Sequence, residues 1–270
     1  MEKLRSIFFK KKILIYGLGK SGLSAFDFLK KKNEICLYDD NKKHPKNKKF
    51  LKNFISYKDI IKKKFDHIII SPGIDITKCK LSNYLKKNIK KINTDIDIFY
   101  STYGNKNISI TGTNGKSTTA KMIYNVLKDQ NFDVRLVGNI GYPILSEKKV
   151  TKNTIFVIEV SSYQLAYSKL FKSDYAIILN IFPDHLERHK TFKNYIKTKV
   201  SLINNQNSSG LAFLDKSNMC FKGKIKKNKI KSKVIHVSKK IDGSILKKIN
   251  NPLLRTDGNL QNISFVFKLI

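Results

Sequence analysis

The stretch ITGTNGKSTTAK, residues 110–121, joins an apolar run to a run with helical spacing through a turn that contains two glycines. Backbone N–H groups at the start of a helix lack partners and carry the positive end of the helix dipole, so a turn of this kind binds phosphate. Gly112 and Gly115 allow the backbone to approach a ligand closely. Lys116 can neutralise phosphate charge, and Ser117 can offer a hydroxyl to Mg²⁺. The strict phosphate-loop pattern has a further glycine that is missing here, which leaves a functionless Gly-Lys turn as the alternative. The strand before the turn and the helix after it favour phosphate binding.

Strands and helices alternate on both sides of this stretch. Their signals lie at residues 11–32, 34–40, 65–74, 154–165, 174–182 and 189–203. Such alternation is typical of an α/β protein with a parallel sheet. We therefore predict an N-terminal Rossmann-like domain over residues 1–93 and a P-loop-type α/β ATP-binding central domain over residues 94–270. Residues 221–237 read as lysine-rich edge strands and turns, and residues 257–270 read as the opening of an amphipathic helix whose apolar residues have no following element to cover them.

The composition bounds the class of protein. Hydrophobic residues make up 41% of the chain, which is enough for a packed core. The net charge of +34 comes almost entirely from lysines spread along the chain, which indicates a solvated coat more than a nucleic-acid surface. A basic nucleic-acid-binding ATPase stays open as an alternative, although no reader motif supports it.

Cys36, Cys79 and Cys220 are scattered and predict neither a disulfide framework nor a zinc site. Without a membrane-length apolar run, we expect a cytoplasmic monomer with no nucleic-acid or membrane partner.

A second glycine turn lies near the N-terminus. It follows a strand, opens a helix and matches G-x-G-x-x-G at Gly17, Gly19 and Gly22, with Asp39 about twenty residues further on. By pattern alone this is a dinucleotide fingerprint, and it predicts NAD. A dehydrogenase would not explain the turn at residues 110–121, so a different nucleotide is the competing interpretation.

Several motifs together resemble those of the Mur ligase family, the ATP-dependent peptide synthetases of bacterial cell-wall assembly. They are TGTNGKST (residues 111–118), EVSSYQL (159–165), LNIFPDHLERH (179–189) and YIKTKVSLI (195–203). GLGKSGLS and SPGI near the N-terminus are similar to the branch that adds D-glutamate to UDP-N-acetylmuramoyl-L-alanine. Folylpolyglutamate synthase has the same loop type, so another Mur-type or folate-type amide ligase is the alternative.

The chain departs from the family pattern in three places. Glu187 stands where the family usually has Asp. The stretch LLRTDGNLQN keeps the two family asparagines as Asn259 and Asn262, but it has Thr256 and Gly258 where the family has Gly and His. No stretch resembles the family's third domain, which binds the incoming amino acid. We therefore expect a C-terminally shortened form with impaired amide formation.

The resemblance implies a reaction and assigns roles. ATP would activate the precursor carboxylate as an acyl phosphate, which the amine of D-glutamate then attacks. The implied catalytic residues are Lys116, His185 and Lys199. The implied ATP-binding residues are Gly112, Thr113, Asn114, Gly115, Lys116, Ser117, Thr118 and Asn259. The implied ligands of two Mg²⁺ ions are Ser117, Glu159, His185 and Lys199 as a CO₂-derived carbamate, with Asp184 orienting His185. The implied contacts to the UDP precursor are Gly19, Lys20, Ser21, Asp39, Ser71, Gly73, Asn139, Ser161 and Gln164.

Ordinary roles compete with these assignments. Glu159 at a strand end could be a solvated cap, and His185 could be a surface histidine. Lys199 could be one more exposed lysine, and Asn139 could be a turn residue in the left-handed conformation. Only the resemblance selects the functional roles.

Overall fold

A computed structural model describes residues 7–41, 48–217, 230–239 and 241–270. The chain forms two compact units. The first comprises Met1–Gly104, Pro143–Lys149 and Ala166–Phe171, and the second comprises Asn105–Tyr142, Val150–Leu165 and Lys172–Ile270. Cys220 lies outside the described residues, and so do residues 221–229 of the predicted lysine-rich segment.

The first unit contains a parallel sheet of the order β2-β1-β3-β4. Its strands and helices are β1 (Lys12–Tyr16), α1 (Lys20–Leu29), β2 (Glu34–Tyr38), α2 (Lys48–Leu51), α3 (Tyr57–Lys62), β3 (His67–Ile70), α4 (Ser82–Lys87), β4 (Ile92–Asn93) and α5 (Asp95–Thr102). The last residue of β1, Tyr16, is in register with the last residues of β2 and β3, Tyr38 and Ile70. The three strands therefore end at one level, and the residues that follow them meet at one edge of the sheet.

The first unit extends beyond the boundary that we predicted at Asn93. Helix α5 belongs to it, and so does the separate segment 166–171. The buried carboxylate of Asp97 explains both. One of its oxygens accepts the backbone N–H of Thr94 at the start of α5 (3.0 Å), and the other accepts the N–H groups of Lys169, Leu170 and Phe171 (2.8–3.1 Å). A long-range tie of this kind leaves no signal in local sequence patterns.

The second unit contains a parallel sheet of the order β10-β9-β8-β5-β7-β6. Its strands and helices are β5 (Asn107–Thr111), α6 (Lys116–Asp129), β6 (Val134–Gly138), β7 (Ile155–Glu159), α7 (Ser162–Tyr167), β8 (Tyr175–Ile178), α8 (Leu186–His189), α9 (Phe192–Asn204), β9 (Leu211–Asp215), β10 (Lys233–Val237), α10 (Gly243–Lys248) and α11 (Asp257–Leu269). Helix α7 begins in this unit and ends in the first. Strand β5 lies between β7 and β8, so the chain leaves it at the point where the strand order reverses. Ligands of open α/β sheets bind at such a point.

The predicted α/β class with two parallel sheets is confirmed, and β10 is an edge strand as expected. The predicted helix at the end of the sequence is present as α11, and its apolar residues are partly covered. Phe265 is fully buried and Val266 nearly so, in a core shared with Ile123 of α6. Phe267 and Ile270, in contrast, are more than half exposed. In the described part of the chain, no helix combines the length and apolar character needed to cross a bilayer.

Candidate active site

The turn between β5 and α6 leaves little room beside its two glycines. Gly115 has φ +81°, and a Cβ atom there would lie 2.4 Å from the side-chain oxygen of Asn262. A Cβ atom on Gly112 would lie 3.1 Å from Cβ of Leu179. The left-handed conformation therefore favours glycine strongly at position 115, whereas at position 112 a side chain would meet a tight contact.

The backbone N–H groups of residues 115–118 have no hydrogen-bond acceptor in the described parts of the chain. They lie at the start of α6, a helix of 14 residues, where the helix dipole is positive. The N–H groups of Thr113 and Asn114 are different, because both donate to the side-chain oxygen of Asn180 (3.1 and 2.9 Å). We predicted backbone contacts to ATP from residue 112 onward. The structure leaves the amides of residues 115–118 as the free set.

Lys116 bends back over the turn, and its Nζ atom donates to the carbonyl oxygen of Thr113 (2.7 Å). Burial lowers its pKa below the usual value, and the nearby carboxylates of Glu159 and Asp184 oppose that shift. The amine therefore has acidic neighbours and a single carbonyl partner, which an incoming phosphate can replace.

Ser117 and Glu159 meet at the ends of β5 and β7. The hydroxyl of Ser117 donates to one carboxylate oxygen of Glu159 (2.7 Å), and the amide of Asn139 donates to the other (2.9 Å). Glu159 is 1% exposed, so the solvated-cap interpretation is wrong. Asn139 does not have the left-handed conformation, which occurs instead at Gly138 and Gly141.

These oxygen donors fit magnesium. Mg²⁺ is usually held by one or two protein oxygens together with waters and substrate phosphates, so a hydroxyl and a carboxylate beside a phosphate-binding turn suffice. A preformed cage is not needed, and within the described residues no cluster of three or more His, Cys, Asp or Glu side chains could form one.

His185 lies between the side chains of Tyr163 and Asp184. Its Nδ1 atom is 3.1 Å from the hydroxyl of Tyr163, and its Nε2 atom is 3.4 Å from a carboxylate oxygen of Asp184. Its backbone has φ +52°, which is uncommon for a residue other than glycine. The predicted pairing with Asp184 is present. Within the described residues, His185 makes no hydrogen bond to Ser117 or Glu159.

Lys199 is buried directly beneath the turn. Its Nζ atom donates to the carbonyl oxygen of Gly112 (2.8 Å) and lies 4.7 Å from the ring centre of Tyr195. The residue is only 2% exposed, so the surface-lysine interpretation is wrong. Burial lowers its pKa to about 7, and the charge of Lys116 adds to the shift. A large part of this amine is therefore neutral near pH 7.

The other predicted residues of the second unit are arranged around the same turn or along α7. Asn259 reaches the turn through Asn262, whose amide donates to it (3.2 Å). Thr118 is exposed on the first turn of α6. Ser161 and Gln164 pair with each other, because the Gln164 oxygen accepts both the N–H and the hydroxyl of Ser161 (3.1 Å each). Their contacts to substrate stay a prediction.

The glycine turn of the first unit is closed by its own neighbours. Ser71 donates its hydroxyl to the carbonyl oxygen of Gly17 (2.6 Å), and Asp39 accepts the N–H of Leu18 (2.6 Å). By contrast, a Cβ atom on Gly19 or Gly73 would meet no atom within 4 Å. Both glycines therefore have open space beside them. Lys20, which follows Gly19, is exposed, and Ser21 is half-buried.

Sequence reasoning missed the side chains that hold the site together. Asn180 accepts two turn amides, and Tyr195 covers the amine of Lys199 and lies 3.2 Å from the hydroxyl of Thr113. Tyr163 contacts His185. The sequence positions of these residues are the signal that could have identified them. Asn180 lies two residues after β8, the strand beside β5, and Tyr195 precedes Lys199 by one helical turn.

Comparison with known protein families agrees with this geometry. The model of the Mur ligase middle domain matches residues 110–265, and the model of the Mur ligase MurD-like N-terminal domain matches residues 11–93. The first of these matches begins at residue 110 and the second ends at residue 93, so α5 lies between the two matched ranges.

Two curated relatives have the same name. A protein of Caldicellulosiruptor saccharolyticus named UDP-N-acetylmuramoylalanine–D-glutamate ligase is 38% identical over 222 residues, which are 78% of this chain and 49% of that protein. A protein of the same name from Rickettsia bellii is 35% identical over 265 residues, which are 95% of this chain and 57% of that protein. The chain thus spans about half the length of the curated relatives it matches.

Among solved structures, the UDP-N-acetylmuramate:L-alanyl-gamma-D-glutamyl-meso-diaminopimelate ligase from Neisseria meningitides shares the fold. The TM-score is 0.55 at 15% identity, and the match covers 84% of this chain and 78% of that one. The middle-domain match includes the free amides, the Ser117–Glu159 pair and the buried lysine of the second unit. On this evidence the chain belongs to the Mur ligase family.

Proposed function

We propose that this protein acts in the ATP-dependent joining of D-glutamate to UDP-N-acetylmuramoyl-L-alanine, the reaction that its relatives' names describe. One observation carries the proposal. The free amides of residues 115–118, the amine of Lys116 and the Ser117–Glu159 pair meet at the end of β5. That set of donors and oxygens suits a triphosphate with its metal ion.

The chemistry explains why such a site is needed. A carboxylate is a poor acyl donor, so its oxygen first attacks the γ-phosphate of ATP and forms an acyl phosphate while ADP leaves. The amine of D-glutamate then attacks the acyl carbon, and phosphate leaves as the amide forms. Positioning and charge neutralisation carry most of the catalysis in reactions of this type. In this chain the amides of residues 115–118 hold phosphate oxygens, and Lys116 offsets their charge.

Ser117 and Glu159 hold Mg²⁺ in this proposal, and His185 and Lys199 serve a second ion. Mg²⁺ supplies charge neutralisation at the transferring phosphate. Lys199 takes part as a carbamate. Its neutral amine adds to CO₂ and releases one proton, which converts a cation into an anionic oxygen ligand. The lowered pKa, about 7, supports this step because only the neutral amine reacts.

The first unit binds the UDP end of the precursor. Gly19 and Gly73 leave open space beside the turn, and Lys20 and Ser21 lie at the start of α1, where a pyrophosphate is favoured. NAD is the competing ligand of the same fingerprint. UDP is favoured because the second unit already supplies an ATP site. The proposed setting is the cytoplasm, with a monomeric protein.

Calorimetric titration of the 270-residue chain tests the ATP site. With Mg²⁺ and a non-hydrolysable ATP analogue, we expect Lys116→Ala to weaken binding about tenfold or more, since a charge-assisted contact is lost. Lys121→Ala, on the exposed face of the same helix, should bind like the wild type. Equal affinity for wild type and Lys116→Ala would refute the assignment.

A second titration addresses the first unit. UDP-N-acetylmuramoyl-L-alanine should bind with the ATP analogue already present, and NADH should not displace it. Displacement by NADH, or quenching of NADH fluorescence without precursor binding, would establish the dinucleotide interpretation instead.

A further inference from the structure

Asn180 contacts the phosphate-binding turn through every polar atom of its side chain. Its Oδ1 atom accepts the backbone N–H groups of Thr113 (3.1 Å) and Asn114 (2.9 Å), and its Nδ2 atom donates to the carbonyl oxygen of Asn114 (3.1 Å). The N–H of Thr113 also lies 3.0 Å from the backbone carbonyl oxygen of Asn180. One residue therefore fixes both peptide groups that precede the free amides.

A second contact holds the side chain of Thr113. The side-chain oxygen of Thr113 accepts the backbone N–H of Phe182 (3.0 Å). Residues 180–182 thus hold Thr113 through its backbone and through its side chain. These contacts hold the peptide groups of residues 113 and 114, which lead directly into the free N–H groups of residues 115–118.

We propose that Asn180 is a positioning residue for the ATP loop, which keeps the amides of residues 115–118 aligned to receive phosphate. The inference rests on the proposed ATP site and adds a residue that contacts the loop instead of the nucleotide. Preorganised donors bind better because no ordering is needed at the moment of binding.

The amide group is specifically suited to this position. A carboxylate could accept the two N–H groups, but it could not donate to the carbonyl of Asn114. It would also place a negative charge beside a triphosphate, where like charges repel. The first unit provides the contrast, because Asp39 accepts a turn N–H there with a carboxylate.

Two substitutions separate the geometric part of this role from the electrostatic part. Asn180→Ala removes all side-chain bonds to the turn, and we expect Mg²⁺–ATP-analogue affinity to fall about tenfold. Asn180→Asp keeps an acceptor but adds charge. Its affinity should fall further than that of the alanine variant at low salt, and the gap should narrow as salt screens the repulsion. Asn153→Asp, an exposed position before β7, is the matched control and should bind like the wild type.

Hydrogen exchange without nucleotide provides an independent readout. In Asn180→Ala the amides of Thr113 and Asn114 should exchange faster, while those of β9 and α11 keep their protection. UDP-precursor affinity should not change. If Asn180→Ala failed to fold, all of its amides would lose their protection from exchange. The role of Asn180 would then be tested with Asn180→Asp.

The outcomes are distinct. A wild-type chain that does not bind the analogue would refute the ATP site itself. Wild-type affinity in both Asn180 variants, together with unchanged exchange at residues 113 and 114, would refute the role of Asn180 alone.

Discussion

The two glycine turns of this protein are built alike and differ in charge. In each turn the first glycine's carbonyl accepts a hydrogen bond from a side chain of another element, Ser71 for Gly17 and Lys199 for Gly112. In each turn the next N–H donates to a side chain that follows a neighbouring strand. That partner is the carboxylate of Asp39 in the first unit and the amide of Asn180 in the second.

The difference indicates which ligand each turn can hold. The second turn has a neutral amide and two lysines beside it, with the carboxylates of Glu159 and Asp184 near Lys116, and it leaves a row of helix N–H groups free. Such an environment favours a triphosphate. In the first turn the N–H of Leu18 already donates to a carboxylate, so it is not available to a phosphate oxygen, and the pyrophosphate proposed for this unit would lie at the start of α1 instead. Similar sequence patterns thus belong to sites of different chemistry.

The largest expected effect tests how tightly each turn is packed. A Cβ atom on Gly22 would lie 1.9 Å from the backbone oxygen of Gly17, whereas one on Gly115 meets the end of the flexible Asn262 side chain. We expect Gly22→Ala to lower the free energy of unfolding by about 3 kcal/mol. Gly115→Ala should cost about 1–2 kcal/mol, largely from its left-handed conformation. Urea denaturation followed by circular dichroism measures both.

Gly73→Ala is the control for these variants, because a Cβ atom there meets nothing within 4 Å. Its stability should lie within about 0.5 kcal/mol of the wild type. If Gly115→Ala proved more damaging than Gly22→Ala, the second turn would be the more tightly closed one, contrary to the geometry.

The next effect depends on Lys199, a titratable group that bonds the glycine carbonyl of the second turn, where the first turn has the hydroxyl of Ser71. Its folded-state pKa of about 7 lies below the value of about 10.4 for a lysine in an unfolded chain. Between these values the unfolded chain binds more protons than the folded one, so stability rises with pH. The cost of burying the charge is fully present below pH 7.

We therefore expect the stability of the wild type relative to Lys199→Met to rise by about 2 kcal/mol between pH 6.5 and pH 9. Urea denaturation in CO₂-free buffer measures the difference without carbamate formation. Lys197→Met, at an exposed position of the same helix, is the matched control for the lysine-to-methionine change. Parallel pH profiles for wild type and Lys199→Met would mean that the buried amine does not titrate in this range.

The sequence predicted the parts of this comparison that depend on local pattern. Apolar runs and glycine turns gave the strands of both sheets and the start of α6, because buried parallel strands and helix starts have strong local signals. The motif EVSSYQL marked Glu159, and the motif YIKTKVSLI marked Lys199. The fold buries both residues beside the turn.

Long-range contacts could not be predicted in the same way. The tie from Asp97 to residues 168–171 joins positions more than seventy apart in the chain. The brace from Asn180 to Asn114 spans 66 positions. Both depend on tertiary folding, and in both cases the polar residue looks ordinary in its own neighbourhood. The cover over α11 was missed for the same reason.

The smallest expected effect comes from making the first turn resemble the second. Asp39 accepts the N–H of Leu18 with one oxygen (2.6 Å) and that of Asn41 with the other (2.9 Å). Asp39→Asn replaces one acceptor with a donor group, so one N–H loses its partner, and we expect a loss of about 1 kcal/mol in the free energy of unfolding. Asp27→Asn on the exposed side of α1 should cost less, because the pair that Asp27 makes with Lys30 lies at the surface. Equal stability for Asp39→Asn and wild type would show that the carboxylate does not hold the turn, and the parallel with Asn180 would then fail on the first unit's side.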